Sequence, residues 1–205
     1  MIEFINVYKS FGKKIILDNF NTVIQDGEFV VLRGRSGCGK STLLNLIGGL
    51  EKPDKGEICI DGRPLSKQKN REWILREKVG FLFQNFALVD TKTVMENMEL
   101  IYRKCRSSFS AEEALDRVGL SEKVGEKVYK LSGGEQQRVA IARLIYKKCD
   151  IILADEPTAS LDLENAENII GLLRNLNKAG KTIIMATHDS RLCDCEMRVI
   201  ELSNT

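Results

Sequence analysis

No stretch of this sequence approaches the roughly 18 consecutive apolar residues that a membrane-spanning helix requires. The opening residues, MIEFINVYKSFG, carry Glu3 where a secretory leader would hold an apolar run. The expectation is a chain made and kept in the cytosol, with any membrane spans supplied by another chain. Net charge is also nearly absent: 31 basic and 29 acidic residues leave a formal +2. A dedicated nucleic-acid binder shows a stronger basic bias or a basic stripe. The short pairs Lys13-Lys14 and Lys147-Lys148 read instead as solvated surface. Cysteines in CxxC spacing are lacking as well. Cys38, Cys59, Cys105, Cys149, Cys193 and Cys195 are expected as free thiols in a reducing compartment. Cys193 and Cys195 flank one residue, with no second Cys/His pair near, which argues against a zinc site. With three prolines, no repeat and no low-complexity linker, 205 residues at 43% hydrophobic content suit a single domain with a substantial core.

What is present is an alternation of short apolar runs and helical patterns. Ile2–Tyr8 and Ile15–Ile24 read as strands joined by a turn at Gly12, and Glu28–Arg33 as a buried strand. A glycine-rich loop leads into a helix from Lys40 to Leu50, with Leu43, Leu44, Ile47 and Leu50 at helical spacing. Glu57–Ile60 is a strand, Trp73–Lys78 the end of a helix, and Val79–Phe83 a strand. From Thr93 to Lys130 the pattern is helical and charged, an inserted helical lobe. A helix from Ser132, a strand Asp150–Ala154, a helix Leu163–Lys178, a strand Thr182–Ala186, a short helix and a strand Arg198–Leu202 complete the chain. The expectation is one domain over 1–205, with a core of about 1–84 and 150–205 and a helical lobe of about 85–149. The fold class is α/β, with a mainly parallel central sheet and antiparallel strands at the N-terminus. In such sheets ligands sit at the carboxyl ends of strands, so the loops after Arg33, Phe83, Ala154 and Ala186 are the places to look.

Gly34-Arg35-Ser36-Gly37-Cys38-Gly39-Lys40-Ser41 fits GxxxxGK followed by Ser or Thr, between a strand and a helix. Glycines let backbone N–H groups point inward as an anion nest, and the helix start adds its own donors. Lys40 would neutralise β- and γ-phosphate charge, and the Ser41 hydroxyl, followed by Thr42, would ligate Mg²⁺. ATP with Mg²⁺ is the expected cofactor. Cys38 lies in the loop near a helix start, a setting that makes a thiol reactive, so alkylation that ATP prevents is expected there. Ile151–Ala154 delivers Asp155 and Glu156 to a sheet edge. Asp155 is placed to hold Mg²⁺ and Glu156 to polarise an attacking water, although a solvated acidic turn before Pro157 would read the same in isolation.

Leu131-Ser132-Gly133-Gly134-Glu135-Gln136-Gln137-Arg138 contains a capping box, Ser132 with Glu135, that would start any helix. All eight residues also resemble the signature of ATP-binding-cassette (ABC) nucleotide-binding domains, and the resemblance extends over essentially the whole chain. It implies an ATPase that powers separate multi-span membrane permease subunits from the inner face of the membrane. It implies that Phe11 stacks on adenine, where the family more often has tyrosine. It assigns Gln84 to Mg²⁺, water and partner sensing, Ser160-Leu161-Asp162 to a loop bordering the nucleotide, and His188, the only histidine, to the γ-phosphate. Two copies would pack head to tail, with ATP between the Lys40 loop of one and Ser132, Gly133 and Gly134 of the other. The stretch from Phe81 to Val89, with Thr93–Asn97, resembles the group of macrolide exporters, lipoprotein-releasing complexes and bacteriocin exporters. The chain stops soon after Leu202, so no C-terminal regulatory domain is expected. A soluble ABC ATPase acting on DNA or ribosomes is the alternative; relatives of that kind carry long coiled coils, zinc modules or paired cassettes, none of which is read here.

Overall fold

The computed structural model describes residues 1–159, 161–189 and 195–202. Strands β1 (Ile2–Phe11) and β2 (Lys14–Ile24) form an antiparallel hairpin whose turn uses Gly12 at φ 59°. Both run further toward the turn than the apolar pattern indicates, because Lys9, Ser10 and Phe11 lack an apolar run yet keep the ladder, pairing Phe11 with Lys14. Strand β4 (Lys55–Ile60) pairs with β1, and the two-residue β5 (Arg63–Pro64), not expected from the sequence, closes the edge in the order β2-β1-β4-β5.

The second sheet is parallel throughout: β6 (Val79–Leu82), β7 (Ile151–Asp155), β8 (Thr182–Ala186), β3 (Phe29–Arg33) and β9 (Arg198–Glu201), in that spatial order. Parallel strands covered on both faces read as continuous apolar runs, as β3, β7 and β8 largely do, whereas edge strand β9 carries Arg198 and Glu201 and is mostly exposed. Alternate residues serve two cores. Val31, Ile152, Ile183 and Met185 face α5 (Gly133–Tyr146) and α6 (Leu163–Lys178). Val30, Leu32, Leu153 and Ile184 face α1 (Lys40–Ile47) and the antiparallel sheet.

Helix α1 stops at Ile47 rather than Leu50. Gly48 lies under the Phe81 ring, where an added Cβ would approach to 2.0 Å, and Gly49 turns to φ 69°, a left-handed stop. Helix α2 (Gln68–Trp73) runs into a π-helical turn, Ile74–Lys78, with Trp73 held beneath the Arg63 guanidinium at 4.2 Å. Between Thr93 and Lys130 the structure is more broken than the charged helical pattern suggests. Helices α3 (Val94–Glu99) and α4 (Ala111–Asp116) have six residues each, both started by capping boxes, Thr93 with Glu96 and Ser110 with Glu113. Three single 3₁₀ turns, Arg103–Cys105, Ser121–Lys123 and Val128–Lys130, punctuate irregular chain in the remainder. Buried Asn97 replaces missing ladder bonds: it accepts from the Val89 N–H and donates to the Val89 and Thr93 carbonyls. The short helix expected after Ala186, together with Ser160 and Cys193, lies outside the described residues.

Candidate nucleotide-binding site

Four neighbouring strands, β6, β7, β8 and β3, bring their carboxyl ends to one cavity of about 470 Å³. The loop after β3 contributes Ser36, Gly37, Gly39, Lys40, Ser41 and Thr42; the loop after β6, Gln84; β7, Asp155 and Glu156; and the loop after β8, His188. Ile16 of β2 forms the remaining wall. All four loops expected to be functional thus border one space.

The glycine-rich loop keeps its curl through two glycines that no other residue could replace. Gly39 sits at φ 105°, and a Cβ there would come within 2.2 Å of Ile16 Cγ2. Gly34, at φ 154°, lies against the Leu202 carbonyl, 2.4 Å from where a Cβ would stand. Helix α1 begins at Lys40 with no side-chain cap, which leaves its first N–H groups aimed at the loop for an anion to satisfy. Lys40 is only 8% exposed and donates to the Gly34 carbonyl at 2.9 Å. Arg35 is exposed and, with Gly34 and Cys38, contributes no lining to the cavity; the Arg35 carbonyl accepts from the Cys38 N–H at 3.1 Å. The Cys38 side chain turns into the core, 2% exposed beside Gly34, which favours a small side chain that fits the loop over an open, reactive thiol.

At the end of β7 the two carboxylates diverge. Asp155 Oδ1 is buried with no hydrogen-bond donor of the protein near it, an orphaned acceptor next to Ser41 and Gln84. A buried carboxylate oxygen without a donor calls for a cation. Oxygen donors from Asp155, Ser41 and Gln84 suit Mg²⁺, which takes few protein ligands and leaves the rest to water and phosphate. No cluster of three or more His, Cys, Asp or Glu side chains that could hold a metal occurs among the described residues. Glu156 adopts φ 45°, a left-handed conformation costing a non-glycine residue about 1–2 kcal/mol. Its N–H donates to the Ala186 carbonyl, which fixes this turn against β8. The strain aims the carboxylate across the cavity: Oε2 lies 2.9 Å from His188 Nδ1 and Oε1 3.9 Å from Lys40 Nζ. The Glu156 side chain is 16% exposed and His188 68%.

The other expected residues gather elsewhere. Ser132 caps α5 in a reciprocal box: its Oγ accepts from the Glu135 N–H, and Glu135 Oε2 accepts from the Ser132 N–H at 2.8 Å. Asp162 caps α6 likewise, accepting from the backbone and side-chain amides of Asn165 at 2.9 and 2.7 Å. These bonds, the Asn165 N–H first, hold the Asp162 carboxyl below its ordinary pKa. The two caps adjoin: Gly134 lies so near Asn165 that a Cβ would come within 3.1 Å of its Oδ1, and Gly133 borders Leu161. None of Ser132, Gly133, Gly134 and Asp162 lines the Lys40 cavity. Phe11, half exposed at the end of β1, is tied to that cavity through its pairing partner Lys14, whose Nζ donates to the Gly37 carbonyl at 2.6 Å. Lys14 therefore braces the phosphate loop rather than merely solvating the surface. Arg143, also unforeseen, donates to the Ala87 carbonyl at 2.6 Å and pins a loop in which Phe86 and Ala87 both have positive φ. Only the apolar spacing of α5 could have flagged Arg143, as a cation on a largely buried face.

A parallel sheet whose strand ends hold a glycine-rich loop, a buried lysine and a carboxylate pair defines a P-loop nucleotide-binding protein. The family described as ABC transporter matches residues 17–159. The ABC transporter ATP-binding protein MJ1508 of Methanocaldococcus jannaschii is 43% identical over 98% of this chain and 95% of its own length. A macrolide export ATP-binding/permease protein, MacB of Campylobacter jejuni, is 39% identical over all of this chain, which spans 33% of that longer protein. The dimeric post-hydrolysis structure of the ATP-binding cassette MJ0796 bound to ADP and Pi superposes with a TM-score of 0.84 at 39% identity, covering 100% of this chain and 95% of the other. The chain belongs to the ABC transporter family, as an ATP-binding and ATP-hydrolysing subunit.

Proposed function

We propose that two copies of this chain close head to tail around ATP and drive a multi-span permease from the inner face of the membrane. The observation that carries this reading is the partition of the site residues. The cavity holds the phosphate loop, both carboxylates and His188, whereas Ser132, Gly133 and Asp162 are exposed outside it, with Gly134 buried against Asn165. The helix start at Ser132 and exposed Gly133 would be a second anion site, useful to the γ-phosphate of a neighbouring copy. On this reading Lys40 and the loop amides hold the β- and γ-phosphates, and Phe11 stacks on adenine. Asp155, Ser41 and Gln84 would hold Mg²⁺, which when bound neutralises charge on the phosphate oxygens. Glu156 orients a water in line with the γ-phosphorus. As the new P–O bond forms, the bond to the β–γ bridging oxygen breaks, ADP leaves, and the water's proton passes through Glu156 to solvent. His188 holds Glu156 by the 2.9 Å contact and donates toward the γ-phosphate. Residues 85–149 act as a lobe that carries Ser132 toward and away from the partner copy.

Introducing Ser132→Arg into a Glu156→Gln background tests the shared site. The double variant should remain monomeric in sedimentation with ATP and Mg²⁺, while its monomer binds ATP normally. Dimers as abundant as those of Glu156→Gln alone would refute the assignment.

The permease assignment rests on the ATP-binding/permease relatives and on the lack, among the described residues, of a helix long and apolar enough to cross a membrane. Tagged Glu156→Gln protein incubated with solubilised native membranes and ATP should recover a multi-span protein. Recovery of ribosomes or nucleic acid alone would overturn the assignment.

A further inference from the structure

Lys9 is the most deeply buried cation of the antiparallel sheet, 5% exposed, and the mechanism above makes no use of it. Its Nζ donates to Glu51 Oε1 at 2.8 Å, to the Lys52 carbonyl at 2.9 Å and to Asp54 Oδ1 at 3.3 Å. These bonds use its three protons, so the ammonium has one position. Burial alone would lower its pKa, but the Glu51 and Asp54 hydrogen bonds outweigh burial and raise it, so it is charged at neutral pH. Asp54 also accepts from both the Ser10 N–H and Oγ, at 2.8 and 3.0 Å. The backbone between Lys9 and Phe11 is thereby fixed. The ammonium then stands over the Phe11 ring, 4.9 Å from its centroid, while the ring remains 51% exposed.

We infer that Lys9 is a positioning and selectivity residue for the nucleotide base, covering one face of Phe11 so that the opposite face becomes a fixed, electron-poor stacking platform for adenine. This inference rests on the proposed stacking role of Phe11. A cation on one face draws π-density toward itself, and the depleted face attracts an electron-rich purine. Holding the ring still also removes an ordering cost from binding. Glu51 and Asp54 anchor the ammonium, so Lys9 reaches the ligand only through Phe11.

The discriminating ligands are ATP and inorganic tripolyphosphate, which shares the phosphates and lacks the base. Titration calorimetry with Mg²⁺ should show Lys9→Met binding ATP about three- to tenfold more weakly, the range a partly desolvated cation–π contact supports. Tripolyphosphate affinity should be unchanged. In a Phe11→Leu background, Lys9→Met should add no further loss. Equal weakening of both ligands, or an undiminished Lys9 effect without Phe11, would overturn the inference, because either places Lys9 in the general fold. Phe11→Leu that binds ATP normally would remove the stacking reading itself; Phe11→Leu weakened with Lys9→Met normal would remove only the Lys9 role. Should Lys9→Met fail to fold, Lys9→Arg keeps a cation and should retain the preference for ATP over tripolyphosphate. A folded Lys9→Arg protein that loses that preference as fully as Phe11→Leu would likewise refute it.

Discussion

Replacing Glu156 with glutamine should reduce ATP hydrolysis by at least about a hundredfold, the usual worth of a positioned base, while leaving ATP binding intact. The substitution keeps the shape and a hydrogen-bonding partner for His188 Nδ1 across the 2.9 Å contact. It removes the charge that faces Lys40 at 3.9 Å and the only carboxylate aimed across the cavity from a strained turn. Asp155 is not expected to substitute, since its buried, unpartnered oxygen is the one assigned to the proposed cation. With hydrolysis stopped, ATP should hold two copies together, which sedimentation would detect. A Glu156→Gln protein that hydrolyses ATP at the wild-type rate would remove this residue from the chemistry.

Lys40→Ala should abolish most nucleotide binding. The Lys40 ammonium is already desolvated and fixed by the Gly34 carbonyl, so it meets phosphate without reorganising. Hydrogen bonds to charged groups contribute about 1.5–3 kcal/mol. The corresponding loss of affinity is about ten- to a hundredfold, measured by calorimetry against ATP and tripolyphosphate alike. Unchanged affinity in a folded variant would contradict its placement at the phosphates.

Residues whose partners are close in sequence were legible before the structure. The runs that became β3, β7 and β8 are apolar because both faces are covered, and the polar residues ending them are those that border the cavity. Ser132 and Asp162 announced helix starts by local chemistry alone, and both caps are present. What stayed hidden depends on distant pairing. Lys14 reaches Gly37 only because β2 folds back beside the phosphate loop, and Lys9 meets Glu51 and Asp54 only across the sheet. Cys38 looked reactive from its place near a helix start; its direction, into a core that includes Leu43 and Leu202, is set by the whole second sheet. The irregularity of 93–130 follows from packing against α5, which overrides a charged helical pattern.

The position of β3 also governs when a newly made chain can become competent. This strand, residues 29–33, is seated between β8 and β9, so both of its neighbours are translated long after it. The Leu202 N–H bonds to the Arg33 carbonyl, and the Leu202 carbonyl closes over Gly34. The glycine-rich loop therefore gains its final walls only after Leu202 has been made, long after the loop itself. Pairings so distant in sequence are slow to form, and a nascent chain arrested before β8 presents an unpaired apolar strand.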